Sequence, residues 1–214
     1  MKKHIITYGL ILSFLYLPLI SFSQDNPSYF EGKINYTFEF IDKQDELKSG
    51  MVKFIVGDQM LVTIKGNKYK NEGNGKFDYT QYYLGGDSLL TTYRGNKAVL
   101  WSLVTENEDS VLSYEITEEA EEVNGIMCKL LTAKTNKGEI KYYFNEEYRA
   151  NPEYFERHHD SFSSFLIGKT GCLALKEVFD MEDVYSMRVF TEITPGEVAE
   201  EEIQKPQGSR KKAD

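Results

Sequence analysis

The residues of this chain whose types could do chemistry are few: two cysteines and one run rich in histidine and carboxylate. Cys128 and Cys172 each stand in a stretch that reads as a strand, and no CxxC pair is present. That spacing argues against thiol redox chemistry and against a zinc site. Three roles fit the pair. A disulfide would close a loop of roughly 44 residues and contribute about 4 kcal/mol in the chain-entropy view; it needs the two Cα atoms within roughly 7 Å. Two free thiols buried as small hydrophobes is the second role, and a reactive thiol is the third. The other run is Glu156-Arg157-His158-His159-Asp160. On a helix Glu156, His159 and Asp160 would share a face and offer three metal ligands, with His158 pointing elsewhere. The HExxH spacing of a zinc helix is absent, so the run is expected to be a solvated helix face and no metal is expected. No GxSxG elbow, phosphate loop or dinucleotide glycine fingerprint appears. Gly85-Gly86-Asp87 and Gly95-Asn96 are turn chemistry. Glu118 to Glu122 lacks the spacing of a calcium loop and reads as a charged loop. The expectation is a protein with no cofactor and no catalytic activity.

The start of the chain says where such residues would work. Met1-Lys2-Lys3-His4 is basic, Ile5 to Ile20 is mostly apolar, and Ser21-Phe22-Ser23 places small residues as a signal peptidase requires. Residues 1–23 are therefore expected to be a cleaved export signal, an uncleaved anchor being the alternative. No second long apolar run follows, so no stable transmembrane segment is expected after cleavage, and the protein is placed in the periplasm or peripheral to the outer membrane or cell surface. The formal net charge is −9, and removing Lys2 and Lys3 makes it more negative. Such a chain repels phosphate backbones, which argues against nucleic acid as a partner, and also repels anionic membrane surfaces.

The elements that would carry these residues read as strands. The chain holds 15 Tyr and 13 Phe but a single Trp, residue types that favour pleated, half-buried surfaces. From Phe30 to Ile41 the pattern alternates, with Ile34, Tyr36, Phe38 and Phe40 on one face. Asp42 to Gly50 reads as a turn or one helical turn and Met51 to Val56 as a strand. Further strands are read at Met60 to Lys65, Lys68 to Asn71, Lys76 to Leu84, Ser88 to Tyr93, Lys97 to Val104, Val111 to Thr117, Ile126 to Lys134 and Glu139 to Phe144. Glycine turns join many of them. Asn151-Pro152-Glu153 starts a short helical segment near residues 151–167. Strands return at Cys172 to Phe179 and Val184 to Ile193. The fold class expected is mainly β (α+β): a curved antiparallel half-open barrel with one short helical segment. Residues 24–195 are expected to form its single domain, and 196–214 a disordered charged tail.

Several stretches together resemble the uncharacterised cell-envelope proteins of the GLPGLI family and their relatives. They are "FEGKINYTFEF", "IKGNKYKNEG", "LTTYRGNKAVLWSL", "EEVNGIMCKLLTAKTNKGEIKYYFNEEY" and "GKTGCLALKEVF". Gly125 and Cys128-Lys129 match the family's G-x-x-C-K strand. Gly171, Leu173 and Leu175 match its late segment loosely, without the proline and second glycine of the naming motif. The resemblance implies a half-open barrel similar to periplasmic lipoprotein carriers, whose concave aromatic face holds acyl chains.

Two functions follow as expectations. In the first the protein is an exported envelope binding module that holds a lipid, an acyl chain or an extended peptide on an aromatic concave sheet. The candidate ligand-binding residues are Tyr36, Phe38, Tyr82, Trp101, Tyr142, Phe144, Phe162 and Phe165. In the second it is an interaction or assembly protein that docks an envelope partner and takes no small molecule.

Overall fold

The computed structural model of the chain describes residues 28–95, 98–106 and 109–213. The export signal read at 1–23 lies outside these residues, as does Asn96 of the Gly95-Asn96 turn. The described chain begins with β1 (Gly32–Asp42), α1 (Glu46–Val56), β2 (Gln59–Lys65) and β3 (Lys68–Gly73). Next come β4 (Thr80–Tyr83), β5 (Ser88–Thr92), β6 (Ala98–Leu103), β7 (Val111–Val123), β8 (Ile126–Thr135) and β9 (Gly138–Arg149). Two 3-10 turns (Pro152–Phe155, Asp160–Phe162) lead into α2 (Ser163–Thr170), followed by β10 (Cys172–Met181) and β11 (Val184–Pro195). A 3-10 turn (Glu200–Ile203) and β12 (Ser209–Lys212) end it.

The described strands join one 12-stranded sheet in the order β12-β6-β5-β4-β3-β2-β1-β11-β10-β9-β8-β7. Consecutive strands pair as antiparallel hairpins wherever the connection is tight. Between β7 and β8 the turn is Asn124-Gly125, with φ of 46° and 86°, the left-handed pair that matches the twist of the flanking strands. Between β8 and β9 the Thr135 hydroxyl accepts from the N–H groups of Lys137 and Gly138. The long-range antiparallel junction joins β1 to β11, from Gly32↔Pro195 to Asp42↔Val184. β12 and β7 stay at opposite ends of the order, so the sheet curls without closing. This is the mainly β, half-open architecture expected from the sequence, with two short helices where one helical segment was expected.

Four stretches differ from their reading in sequence. Met51–Val56, read as a strand, is the second half of α1. Asp45 caps that helix by accepting from the N–H groups of Leu47 and Lys48 at 3.0 and 3.2 Å. Lys48 pairs with Asp42 at 2.7 Å, and Gly57 N–H closes the last turn on Lys53 O. A short, mostly apolar run of six residues fits a strand and a helix equally well, and the cap decides it. Lys76 to Tyr79 would have extended β4, but regular pairing is confined to Thr80–Tyr83. Glu118–Glu122, read as a loop, continues β7 past a register break between Thr117 and Glu121. Lysines of β8 and β10 hold that acidic run: Lys129 meets Glu118 at 2.7 Å and Lys176 meets Glu121 at 2.8 Å.

The fourth is residues 196–213, read as a disordered charged tail, which lie against the sheet in the structure. Val198 and Ile203 are 1 % and 2 % exposed, each such burial being worth roughly 1.5–3 kcal/mol. Lys33 and Lys68 bind Glu202 and Glu200, and the Lys65 ammonium donates to Val198 O. β12 then pairs with β6 in parallel, Ser209↔Ala98 to Lys212↔Trp101.

The core divides in two. One cluster includes Ile34, Val62, Ile64, Leu89, Phe155, Ile167 and Leu173. The other sets Leu131, Ala133, Ile140, Tyr142 and Phe144 under Phe162 and Leu166.

Candidate functional site

The concave face of the sheet does not meet the segment above it everywhere. A cavity of about 390 Å³ remains, floored by strands β1 to β5 and β9 to β11 and roofed by residues 155–167, with Val52 and Val56 of α1 at its side. Most of the wall is apolar: Met60, Val62, Ile64, Leu89, Leu166 and Ile167. Period-2 alternation puts the strand side chains there, because every second residue of a strand faces the same way.

Four structural devices hold the roof. The Asn151 side chain accepts from Glu153 N–H and opens the first 3-10 turn. Val104 O, in a fully buried residue, accepts from the N–H groups of His159 and Asp160 at 2.6 and 3.1 Å. Arg157 reaches Asp87 at 2.9 Å. Ser161 and Phe162 take φ of 51° and 58°, two successive left-handed residues without the glycine that adopts this shape freely. Such conformations cost of order 1–3 kcal/mol each. Here they swing the chain so that α2 lies across the sheet with Leu166 and Ile167 buried.

Two polar clusters stand in the wall, besides Gln81, Ser161, Ser163 and Ser186. The first is on β10 and β11. Arg188 Nε lies 2.5 Å from Glu177 Oε2, and the guanidinium sits 5.1 Å from the centre of the Tyr36 ring, within cation–π range. Burial works against the charged guanidinium, but Glu177 and the Tyr36 oxygen outweigh it, so its pKa is raised. Tyr36 donates to Ala174 O and Tyr142 to Cys172 O, both at 2.7 Å. Burial pushes both phenols up, so they remain protonated donors.

The second polar group joins β3 to the roof. Tyr69 Oη and His158 Nε2 share a hydrogen bond of 2.8 Å. The imidazole is 1 % exposed and meets the Tyr83 ring edge-on, with centroids 4.6 Å apart. Burial pulls the His158 pKa below its ordinary value, against the pull of Asp160. Its Nδ1 and the Oδ1 of Asn71, also on the cavity wall, are buried without hydrogen-bond partners among the described residues.

The structure distributes the residues proposed from sequence unevenly. Tyr36, Phe38 and Tyr142 line the cavity. Phe144 and Phe162 pack in the adjoining core cluster, and Phe165 lies edge-on to Tyr114 at 5.5 Å. Tyr82 and Trp101 lie on β4 and β6 and are not among the lining residues. Cys128 and Cys172 are free and buried. β9 runs between their strands, which sets them roughly 10 Å apart or more, beyond disulfide reach. Burial raises both thiols, Cys172 to about 11, which leaves them as packing groups. Glu156 to His159 is not a solvated helix face: 156–157 turn, 158–159 are irregular, and His158 is enclosed. Among the described residues no three His, Cys, Asp or Glu side chains gather as metal ligands do.

The polar lining residues Arg188, Glu177, His158, Tyr69 and Asn71 were not singled out as binding residues in sequence. On Val184 to Ile193 the only signal for Arg188 was its place in the alternation, opposite Phe38 across the β1–β11 pairing.

No family model matches the chain, and no curated protein matches it. Among solved structures, PNGF-II in two crystal forms is similar over 85 % of this chain and 32 % or 31 % of its own, at 9 % identity and a TM-score of 0.46. The chain thus spans about a third of PNGF-II. The Mycobacterium tuberculosis lipoprotein LppX is similar over 76 % of this chain and 86 % of its own, at 10 % identity and a TM-score of 0.37. Both likenesses are distant.

Proposed function

We propose that this protein is a non-catalytic binding protein of the cell envelope that holds one small apolar or amphiphilic molecule, such as a lipid or acyl chain, between its concave sheet and the 155–167 segment. The observation that carries this reading is the cavity of about 390 Å³, whose wall joins a continuous apolar stretch to a polar one. That volume falls within the range of small-molecule sites. It accommodates roughly thirteen water-sized groups at about 30 Å³ each, which suits a chain of some ten carbons better than an extended peptide. Export is supported by the basic and apolar start of the chain, and the GLPGLI-like motifs support an envelope setting. Native mass spectrometry of the envelope-purified protein tests the reading, together with thermal melts in the presence of medium-chain lipids. The expected result is a co-purified apolar mass and a rise in melting temperature; a bare protein indifferent to every chain length would overturn it. Cell fractionation with and without residues 1–23 tests the location.

A second reading, in which the protein docks an envelope partner, is favoured by β7. That strand ends the sheet order and exposes Leu112, Tyr114 and Ile116 by 69, 46 and 41 %, a surface suited to strand addition. Crosslinking from position 114 in intact envelopes would capture that partner.

A further inference from the structure

We propose that the ligand is uncharged: an apolar body carrying one carbonyl or hydroxyl oxygen, which accepts a hydrogen bond from Arg188. This rests on the binding reading above and names the head group that the same cavity selects.

Arg188 is only partly engaged by its neighbours. Its Nε faces Glu177 Oε2 at 2.5 Å and its plane lies near the Tyr36 ring. Among the described residues no hydrogen bond reaches its two Nη nitrogens. Yet 30 % of the side chain is accessible, on a residue whose face of the sheet lines the cavity. The guanidinium therefore offers free N–H donors to whatever occupies the space. An unmet donor in an apolar surrounding is costly, so an occupant that supplies an oxygen is favoured over plain hydrocarbon.

Charge decides which oxygen. Among the described lining residues Arg188 is the one cation, and Glu177 and Asp160 are carboxylates. Arg188 and Glu177 cancel at contact distance. A ligand carboxylate drawn to Arg188 would come close to Glu177 as well, and attraction and repulsion at similar range largely offset each other. What remains is the cost of taking an extra anion out of water with no net counter-charge, which is large in such a site. A neutral carbonyl accepts from the same Nη and leaves the pair balanced. A ligand amine would find Glu177 already engaged and Arg188 repelling it.

The test uses the full chain, stripped of co-purified material, in calorimetric titrations at about pH 7.5 with three ten-carbon probes: decanamide, decanoate and decylamine. Decanamide is expected to bind at least tenfold more tightly than either charged probe. In Glu177→Gln the guanidinium loses its counter-ion but keeps a polar neighbour of the same shape, so decanoate should gain at least tenfold while decanamide changes little. The double variant Glu177→Met with Arg188→Met removes the pair without leaving a lone buried charge and should erase the preference among heads. Decanoate binding the unmodified protein as well as or better than decanamide would overturn the inference while leaving the binding reading standing, as would all three probes binding alike. Failure of every probe to bind would overturn the binding reading and this inference with it.

Discussion

At the scale of single residues, His158 carries the clearest consequence. It sits in the least accessible part of the roof, bonded through Nε2 to Tyr69 and pressed by Tyr83, and burial lowers its pKa. The folded protein thus resists a proton that the unfolded chain accepts near pH 6.5. When the unfolded state binds more protons, stability falls as pH falls. The loss begins near pH 6.5 and continues down to the lowered native value. The carboxylates held low by lysine partners, such as Asp42, Glu146 and Glu200, contribute only further down, as pH falls below the ordinary carboxylate range. Urea melts at about pH 7.5 and 5.5 should show this drop, and His158→Gln should be nearly flat across the same interval. The sequence displayed this histidine inside a charged run, where its neighbours Glu156, Arg157 and Asp160 made the whole stretch look solvated. Burial is a property of the chain's path, here set by the two left-handed residues that follow, and no local composition reports it.

At the scale of elements, the two helices are held by different means. α2 is held by its buried face, whereas α1 has no fully buried side chain and is held at its ends. Its C-terminal end lies against Gly73-Asn74-Gly75: Gly75 N–H donates to Val56 O and Lys76 N–H to Phe54 O. A Cβ on Gly75 would stand 2.2 Å from Ile55 O and 2.8 Å from Gly57 N. Gly75→Ala should therefore cost about 1–3 kcal/mol, as overpacking does, and amide exchange should show α1 released first. Gly50, within the same helix, has nothing within 4 Å of its would-be Cβ, and Gly50→Ala should stabilise by about 0.5–1 kcal/mol. The C-terminal segment offers a parallel test. Ile203→Ala should cost about 2–4 kcal/mol in chemical denaturation, whereas a disordered tail would register nothing. Strands and hairpins were legible because alternation and glycine turns act over a few residues. The tail was not, because its two apolar anchors are spaced among charges and their partners lie on strands more than a hundred residues earlier.

At the scale of the whole molecule, a half-open mainly β sheet could be read from the sequence, but the cavity could not. Tyr36, Phe38 and Tyr142 stood out as aromatics on alternating strands. Glu177 and Arg188 did not, since a charge on a strand ordinarily faces water, and only the pairing of β10 with β11 reveals that these two meet. The same strand order has a consequence for how the protein is made. β1 lies mid-sheet between β2 and β11, so residue 32 waits for residue 195. During synthesis the hairpins from β2 to β6 and from β7 to β9 can form as they emerge, but the halves join only when the last long strand is out. Refolding should accordingly be slow for the chain's size, in the millisecond-to-second range of non-local β proteins, and a chain ending before Val184 should show no cooperative unfolding. A polypeptide that cannot join its first strand to β11 until residue 195 has been delivered stays threadable until then.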